Sequence, residues 1–290
     1  MKIDLHIHSK NGSDGRWPLE KIFPEAVKRR IGVISITDHD SIQAQEEAKS
    51  LADRYGIQYI YGIELNITLA HPPYRNGKGV SLDCLGYGYD IRYQLLVDKL
   101  QALRDFRQKR AEMILANIND EFRKEGREEF TEQNLEEIRA TVDGAFGRPH
   151  IANYMIREGI VRSKNEAFDK YLEKCDMPKM PLSLEEASEL IRSAGGKLVL
   201  AHPGDPNGTS LVSFTSSIRE HQTIIRERMH PYIDGIECWH TRHNKTTTDA
   251  YLGFARKTGL MVTGGSDCHQ QPVIMGILDI PPYVAEQFGL

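Results

Sequence analysis

Residues 4–8 read DLHIH and belong to a strand-like run in the 290-residue chain. Because side chains alternate across a β-strand, His6 and His8 point to one face and Leu5 and Ile7 to the other. Two imidazoles on one face lie ~6–7 Å apart and can share a metal ion. Two structural histidines would give the same pattern, so this pair alone does not establish a metal site.

Further polar residues stand where other strand-like runs end. They are Asp38 and His39, Glu64, His202, and Asp267 with His269. Parallel α/β barrels keep their functional residues at the carboxyl ends of the strands, and unrelated structural histidines have no reason to follow that rule. We therefore expect these imidazoles and carboxylates to form a ring that binds Zn²⁺, Mn²⁺ or Fe²⁺, with a glutamate able to bridge two ions.

Strand-like runs rich in Val, Ile and Tyr alternate with helix-like runs, which predicts an α/β fold with a largely parallel sheet. The helix-like runs include residues 42–55, 184–193 and 245–258. The strand-like runs cover residues 2–8, 33–38, 58–65, 81–87, 197–201, 235–239 and 260–264.

The alternation is interrupted once, over residues 94–181, where no strand pattern is evident. Apolar residues recur there at helical spacing within a highly charged sequence. These residues are Leu96, Leu100, Leu103, Ile114, Leu115 and Ile118. We expect residues 1–93 and 182–290 to form one domain, and residues 94–181 to form a helical insertion that covers the substrate.

The composition is that of an ordinary globular protein, with 40% hydrophobic and 27% charged residues. The 37 basic and 41 acidic side chains give a net charge of −4, which argues against stable binding of duplex DNA. No run approaches the ~20 apolar residues of a membrane span, so we expect no membrane association and a cytoplasmic location. The four cysteines form no CxxC pair and are expected to be reduced thiols.

Five short motifs occur in order along most of the chain. They are DLHIHS with SDG (residues 4–9 and 13–15), ITDHD (36–40), GIE (62–64), AHPG (201–204) and GSDCH (265–269). They resemble the motifs of the PHP (polymerase and histidinol phosphatase) family of metal-dependent phosphoesterases. The resemblance implies a distorted (βα)7 barrel with two or three divalent metal ions at the strand ends. Within the family, the helical insertion and the GRPH element at residues 147–150 are most similar to nucleoside 3′,5′-bisphosphate phosphatases and short-RNA phosphoesterases.

The resemblance also implies which residues bind the ions. His6, His8, Glu64 and Asp267 would hold one ion, Glu64 and His202 a second, and Asp14, His39 and His269 a third. The sequence departs from the family at Asp83, where members usually have a histidine. A carboxylate there would favour Mn²⁺ or Fe²⁺ over Zn²⁺. His71, in the preceding loop, is a less suitable substitute.

Ions in such a ring would lower the pKa of water and neutralise phosphoryl oxygens during hydrolysis. Because a histidine that binds metal cannot donate a proton, the leaving oxygen would receive one from His243, from His150 or from water. Among Trp239, His240 and His243 we favour His243 as the side chain that enters the site. The alternative places Trp239 at the rim and leaves His240 solvated.

Substrate phosphate could be bound by two sets of residues in the insertion. Arg107 and Arg110 lie three residues apart on a predicted helix, although a solvated helix face explains them equally well. Arg148 and His150 open a predicted helix, a natural position for an anion.

We expect a hydrolase that acts on phosphomonoesters of nucleotides, such as nucleoside 3′,5′-bisphosphates, or on the 5′ ends of short oligonucleotides. One alternative is a phosphatase of histidinol phosphate or another small molecule. A second is a non-catalytic module that binds metal or nucleotide. A third, a metal-dependent amidohydrolase, usually needs a lysine near the metal, and none is evident at a strand end.

Overall fold

The computed structural model of the chain describes residues 1–141 and 147–290. These residues divide into two compact units, Met1–Asp98 with Pro181–Leu290, and Lys99–Met180. The first unit is a mixed α/β structure and the second is helical. The second unit falls within the predicted insertion, and its role as a substrate cap stays a prediction.

All described strands belong to the first unit. They are β1 (Lys2–Ile7), β2 (Ile31–Ile36), β3 (Gln58–Tyr59), β4 (Gly62–Leu69), β5 (Val80–Tyr87), β6 (Lys197–Leu200), β7 (Gly235–His240) and β8 (Met261–Gly265).

The α-helices are α1 (Leu19–Lys28), α2 (Gln45–Tyr55), α3 (Gln94–Glu125), α4 (Glu132–Arg139), α5 (Arg148–Arg157), α6 (Lys164–Ala167), α7 (Leu184–Ser193), α8 (Ile218–Ile224), α9 (Lys245–Thr258) and α10 (Tyr283–Glu286). Short 3₁₀ turns cover Arg75–Gly77 and Leu211–Ser213, and single π-helical turns cover Phe168–Leu172 and Ile225–Met229. Within the two described ranges, none of these helices has the length and apolar character needed to cross a membrane.

The strands form two sheets rather than the single closed barrel that the resemblance implied. One sheet has the order β1-β2-β3 and is parallel; the other has the order β4-β5-β6-β7-β8. In the second sheet, β5 is antiparallel to both β4 and β6, whereas β6, β7 and β8 are mutually parallel. The barrel is therefore not confirmed, and in residues 1–141 and 147–290 no closed ring of strands is seen.

The local reason is that the predicted strand at 58–65 is two strands in different sheets. The chain leaves the first sheet after Tyr59 and enters the second at Gly62. The loop that joins β4 to β5, residues 70–79, is shorter than the dozen or more residues that a parallel crossover requires, so the two strands pair antiparallel.

Two isolated bridges bring the sheets together. His39 pairs with Glu64, and Ile7 pairs with Cys268. The amide of His8 donates to the carbonyl of Cys268 at 3.2 Å, and the amide of Asp267 donates to that of His6 at 2.8 Å. The carboxyl ends of β1, β2 and β8 therefore converge with the start of β4.

Each unit has its own apolar core. In the first unit, α1 buries residues at helical spacing, Leu19, Ile22, Phe23 and Ala26, against the β1-β2-β3 sheet. In the second, α3 contributes Ile114, Leu115, Ile118 and Phe122 to a cluster shared with α4 and α5.

Candidate metal centre

The centre of the site is formed by two imidazoles of the first strand and its C-terminal end. His6 and His8 are both completely buried. Nε2 of His6 lies 3.4 Å from Oε1 of Glu64 and 3.5 Å from Oδ1 of Asp267. Nε2 of His8 lies 3.2 Å from Oε2 of Glu64 and 3.2 Å from Oδ1 of Asp267. Neither nitrogen makes a hydrogen bond, although buried polar atoms almost always do.

Glu64 faces four imidazoles with its two carboxylate oxygens. Oε1 lies 3.0 Å from Nε2 of His202 as well as 3.4 Å from His6. Oε2 lies 3.0 Å from Nδ1 of His39 as well as 3.2 Å from His8. This division of oxygens suits a carboxylate that bridges two cations. Glu64 is the third residue of β4, so it does not end a strand as the sequence suggested; it lies just beyond the carboxyl end of β3.

A second group of ligand atoms lies on the more open side of the centre. Oδ1 of Asp14 is 3.1 Å from Nε2 of His269, 3.7 Å from Nδ1 of His8 and 4.0 Å from Nε2 of His39. The side chain of Asp14 is 56% exposed, so this group can be reached from solvent. Gly15 permits the approach, since a Cβ there would lie 2.4 Å from the carbonyl carbon of His8.

Asp83 occupies the position at which the family resemblance predicted a histidine. Its Oδ2 is 3.9 Å from Nε2 of His202, and its carboxylate forms a candidate metal group with His39 and Glu64. Asn66 donates to Oδ1 at 2.7 Å, and the hydroxyl of Thr209 donates to Oδ2.

His71 lies elsewhere. Its Nε2 is 3.6 Å from Glu227, and its ring stacks on Tyr74. It belongs to none of the candidate metal groups found among the described residues.

All nine residues expected to bind metal fall into groups whose ligand atoms lie within 4.8 Å of one another. The groups are His8, Asp14, His39 and His269; His6, His8 and Asp267; His6, Glu64 and His202; and His39, Glu64 and Asp83. A further group that the sequence did not predict contains Asp205, His240 and Asp267.

The carboxylates of the centre also set its protonation. Burial lowers the pKa of His6 and His8, but nearby carboxylates outweigh burial and raise it well above the usual value. Burial also lowers the pKa of His202, but nearby carboxylates, chiefly Glu64, together outweigh it and raise the pKa to about 9. In His39 burial prevails and lowers the pKa to about 4. Carboxylates that favour imidazolium here would equally favour a divalent cation, which competes with those protons.

Buried acids that sequence reasoning did not assign support the ring from behind. Nδ1 of His6 donates to Glu237 at 3.0 Å, and the amide of His202 donates to the other oxygen of Glu237 at 2.8 Å. Asp4 accepts from the amides of Ser266 and Gly276 at 2.8 and 2.7 Å. The sequence could have indicated both residues, because Asp4 and Glu237 are each a single charge within an apolar strand. Such a charge is buried only when it has partners.

Asp38, one of the polar residues at a predicted strand end, also has a supporting role. It accepts hydrogen bonds from the amide and hydroxyl of Ser9, both at 2.6 Å, and from the hydroxyl of Ser13 at 2.8 Å. It is not in a candidate metal group of the described chain. These bonds fix the loop that carries Asp14.

The structure places His240, the last residue of β7, and His243, which follows it, differently from the sequence expectation. Nδ1 of His243 donates to the carbonyl of Cys238 at 3.0 Å, and Nε2 accepts from the amide of Gly204 at 3.1 Å. With both ring nitrogens bonded to backbone, His243 is poorly arranged to donate a proton. His240, considered solvated, is 1% exposed, and its Nε2 is 3.5 Å from Oδ2 of Asp267.

In the helical unit, the predicted phosphate-binding residues form their own cluster. Asp176 makes ion pairs with both Arg110 and Arg148, the latter at 2.7 Å. Arg110 is buried and also donates to the carbonyl of Met177 at 2.5 Å. Nδ1 of His150 accepts from the amide of Gly147 at 3.2 Å, which caps the start of α5.

Arg107 lies one turn before Arg110 on α3 and is only partly exposed, and burial lowers its pKa. It therefore does not lie on a fully solvated helix face.

The model of the PHP domain matches residues 4–185, which is more than half of the chain and covers most of β1 and all of β2 to β5. The chain belongs to the PHP family. The matched range contains His6, His8, Asp14, His39 and Glu64, so the family motifs and the observed cluster coincide over this part of the PHP chain.

Curated relatives of this PHP protein have names that refer to nucleotides or RNA. The 5′-3′ exoribonuclease Rnm of Escherichia coli is 27% identical, covering 92% of this chain and 85% of the relative. The 3′,5′-nucleoside bisphosphate phosphatase of Chromobacterium violaceum is 26% identical, covering 92% and 87%. A 5′-3′ exoribonuclease of Haemophilus influenzae is 29% identical, covering 70% and 69%.

Solved structures share the fold over nearly the whole PHP chain. A candidate metal-dependent phosphoesterase of Bifidobacterium adolescentis has a TM-score of 0.74 at 24% identity, covering 98% of this chain and 94% of the other. A Chromobacterium violaceum protein described as an amidohydrolase, with bound sulfate and no metal, has a TM-score of 0.71 at 26% identity, covering 97% and 93%.

Proposed function

We propose that this protein is a metal-dependent phosphoesterase that hydrolyses phosphomonoesters of nucleotides, such as nucleoside 3′,5′-bisphosphates, or the 5′ ends of short oligonucleotides. The observation that carries the proposal is the pair of buried, unbonded Nε2 atoms of His6 and His8, which face Glu64 and Asp267 at 3.2–3.5 Å. Nitrogen and oxygen donors converging in this way are typical of transition-metal sites.

Two or three divalent ions, of Mn, Fe or Zn, fit the donor groups. His6, His8, Glu64 and Asp267 would hold the first ion, Glu64, His202 and Asp83 the second, and Asp14, His39 and His269 the third. When bound, such ions lower the pKa of water and neutralise phosphoryl oxygens as charge shifts in hydrolysis.

The chain's own residues prepare the site. Glu237 holds the proton of His6 on Nδ1, which leaves the Nε2 lone pair directed at Glu64 and Asp267. The carbonyl of Asp267 accepts from Nδ1 of His269 at 3.1 Å, which directs Nε2 of His269 toward Asp14. The exposed Asp14 group gives a phosphoester access from solvent.

We further propose that the helical unit recognises phosphate. Arg148, Arg107, Arg110 and His150 are the candidates, because guanidinium groups bind phosphate oxygens bidentately and Arg148 is the first residue of α5. The names of the relatives support a nucleotide or a short RNA as the substrate. Protonation of the leaving oxygen is assigned to His150 or to water, since both ring nitrogens of His243 are occupied.

The test is to load the purified protein with Mn²⁺ and measure its metal content and its hydrolysis of four compounds. These are adenosine 3′,5′-bisphosphate, a 5′-phosphorylated RNA of a few nucleotides, histidinol phosphate and p-nitrophenyl phosphate. We expect phosphate from the bisphosphate or mononucleotides from the RNA, and loss of both with Asp267→Asn. His230→Gln is the matched control, since Nε2 of His230 faces a backbone carbonyl away from the metal groups.

The other outcomes separate the alternatives. Turnover of histidinol phosphate alone would replace the nucleotide proposal with the small-molecule phosphatase. Two or three bound ions without hydrolysis of any compound would contradict catalysis and favour a binding module. Absence of bound transition metal would contradict the metal centre itself.

A further inference from the structure

Two buried imidazoles of the site have opposite surroundings at Nδ1. For His6, Nδ1 lies 3.0 Å from Oε1 of Glu237. The other oxygen of Glu237 accepts a hydrogen bond from the amide of His202 at 2.8 Å. The proton of neutral His6 is therefore on Nδ1. For His240, Nδ1 accepts a hydrogen bond from the amide of Arg242 at 3.2 Å, so the proton of neutral His240 is on Nε2.

The turn after β7 fixes this arrangement. β7 ends at His240, and the amide of His243 donates to the carbonyl of His240 at 2.9 Å. This turn aims the amide of Arg242 back at the ring. If the proton of His240 were on Nδ1, that N–H would point at the N–H of Arg242. This is unfavourable at a buried ring because neither N–H would have an acceptor.

The Nε2–H group of His240 faces one particular oxygen. It lies 3.5 Å from Oδ2 of Asp267, and it is buried and makes no hydrogen bond. Oδ1 of Asp267 is the oxygen near the other imidazoles, at 3.2 Å from His8 and 3.5 Å from both His6 and His269. Asp267 thus presents one oxygen to the cluster and the other to His240.

The backbone of Asp267 does not by itself fix the orientation of its carboxylate. Its φ angle is +55°, a left-handed conformation that is uncommon for a residue other than glycine. The amide of Asp267 donates a hydrogen bond to the carbonyl of His6, which fixes the backbone but not the rotation of the carboxylate.

We infer that His240 is a positioning residue for Asp267 and is not a metal ligand: its Nε2–H is the donor that faces Oδ2, so that Oδ1 stays directed toward the cation that His6 and His8 would hold. The inference rests on the proposed metal centre but on no substrate. The nearness of Asp205 to His240 and Asp267 could otherwise suggest an additional cation site. A lone pair on Nδ1 that accepts from Arg242 excludes Nε2 as a ligand atom.

The first experiment reads the tautomer in the intact protein. Long-range ¹H–¹⁵N spectra of the Zn²⁺-loaded protein at pH 8 distinguish the two tautomers of each histidine, and loss of one set of signals in His240→Gln assigns His240. We expect His240 to be protonated on Nε2 and free of metal, and His6 to be protonated on Nδ1. Protonation of His240 on Nδ1, or a zinc-bound Nε2, would overturn the inference.

The second experiment measures Zn²⁺ affinity by competition with a chromogenic chelator, without substrate. His240→Leu removes the donor and should weaken the tightest site about 10–100-fold, the usual cost of losing an outer partner of a metal ligand. His240→Gln restores an N–H at the same reach and should stay within about threefold of the wild type, a rescue that a purely structural role would not show. His230→Gln controls for the loss of an imidazole.

Each outcome decides the question. Wild-type affinity in His240→Leu, or equal losses in the Leu and Gln variants, contradicts positioning, and one fewer bound ion in both variants makes His240 a ligand. If His240→Leu does not fold, the wild-type tautomer still decides. A wild-type protein that binds Zn²⁺ but hydrolyses nothing would remove the proposed function and leave this inference to its own test.

Discussion

Gly265 at the end of β8 lies directly against His6 of β1. A Cβ on Gly265 would be 2.3 Å from Cβ of His6 and 2.4 Å from its backbone nitrogen, distances that no packing tolerates. Gly265→Ala must therefore push β8 away from β1. We expect a loss of at least about 2 kcal/mol in the free energy of unfolding, measured by urea titration, together with weaker metal binding.

Gly253→Ala is the matched control, because a Cβ there meets no atom within 4 Å and the residue lies inside α9. Alanine in a helix interior is favoured over glycine by about 0.5–1 kcal/mol, so this variant should be slightly more stable. Equal stability of the two variants would show that β1 and β8 are not packed as described.

Glu237→Gln should weaken metal binding without removing a ligand. The amide oxygen can still accept from His6, but the amide group then opposes the backbone N–H of His202, which now donates to Glu237 at 2.8 Å. We expect about tenfold weaker binding of Zn²⁺ by calorimetry. Glu227→Gln is the control, since Glu227 also faces a histidine, His71 at 3.6 Å, but outside the cluster. Equal effects in both variants would rule out a supporting role specific to Glu237.

The metal-free protein should be most stable near pH 6.5. His202, held by Glu64, has its pKa raised to about 9 in the fold, so its stabilisation is complete below pH 6.5 and is lost as the pH rises toward 9. His39, whose burial lowers its pKa to about 4, contributes stability above pH 6.5 that is lost as the pH falls toward 4. Melting temperatures in chelator from pH 4 to 9 test this.

His202→Gln provides the comparison. It should make the decline in melting temperature above pH 6.5 shallower, with the remainder due to His6 and His8, whose pKa is also raised, and it should keep the decline below pH 6.5. A melting temperature of the wild type that rises from pH 6.5 to 9 in chelator would contradict the assignment.

Arg148→Ala should raise KM for a nucleoside 3′,5′-bisphosphate and change kcat little. Loss of a charged hydrogen bond to phosphate costs about 1.5–3 kcal/mol, which is roughly a 10–100-fold rise in KM. Steady-state kinetics should show no such change for Arg157→Ala, at the other end of α5, where the arginine pairs with Glu137 and Glu158. An unchanged KM for Arg148→Ala would remove Arg148 from the substrate site.

Asp83→His should shift metal preference toward Zn²⁺. The carboxylate is a harder ligand than imidazole, and its replacement also removes a negative charge beside Glu64. We expect the ratio of Zn²⁺ to Mn²⁺ affinity to rise about tenfold. Asp83→Asn separates the two effects, because it removes the charge and keeps an oxygen for Asn66 or Thr209. An unchanged ratio in Asp83→His would show that Asp83 does not contact metal.

The ligand cluster could be anticipated because strand periodicity and strand ends are local properties. The alternation at His6 and His8 gave their common face, and His202 and Asp267 follow β6 and β8 as expected. The direction of β5 could not be anticipated in the same way, because neighbouring strands and loop length decide it. The strands are largely parallel, as predicted, but they form two sheets, and β5 runs antiparallel to both of its neighbours.

The supporting residues were harder to find because their roles depend on distant partners. Glu237 is defined by its contact with His6, which lies 231 positions away in the sequence. The choice between His240 and His243 depends on one turn and on two backbone amides, those of Gly204 and Arg242. Composition and spacing do not encode such contacts.

The two sheets have separate hydrogen-bond networks, and the isolated bridges His39–Glu64 and Ile7–Cys268 connect them. Ligand residues flank both bridges: His6 lies in β1 and His8 directly follows it, whereas Glu64 lies in β4 of the other sheet. Any cation shared by these three side chains would cross-link the β1-β2-β3 sheet to the second sheet. Removal of the cation by a chelator should then loosen the contact between the sheets, and amide hydrogen exchange should accelerate first along the neighbouring edges of β1 and β8, while α1 and α9 stay protected.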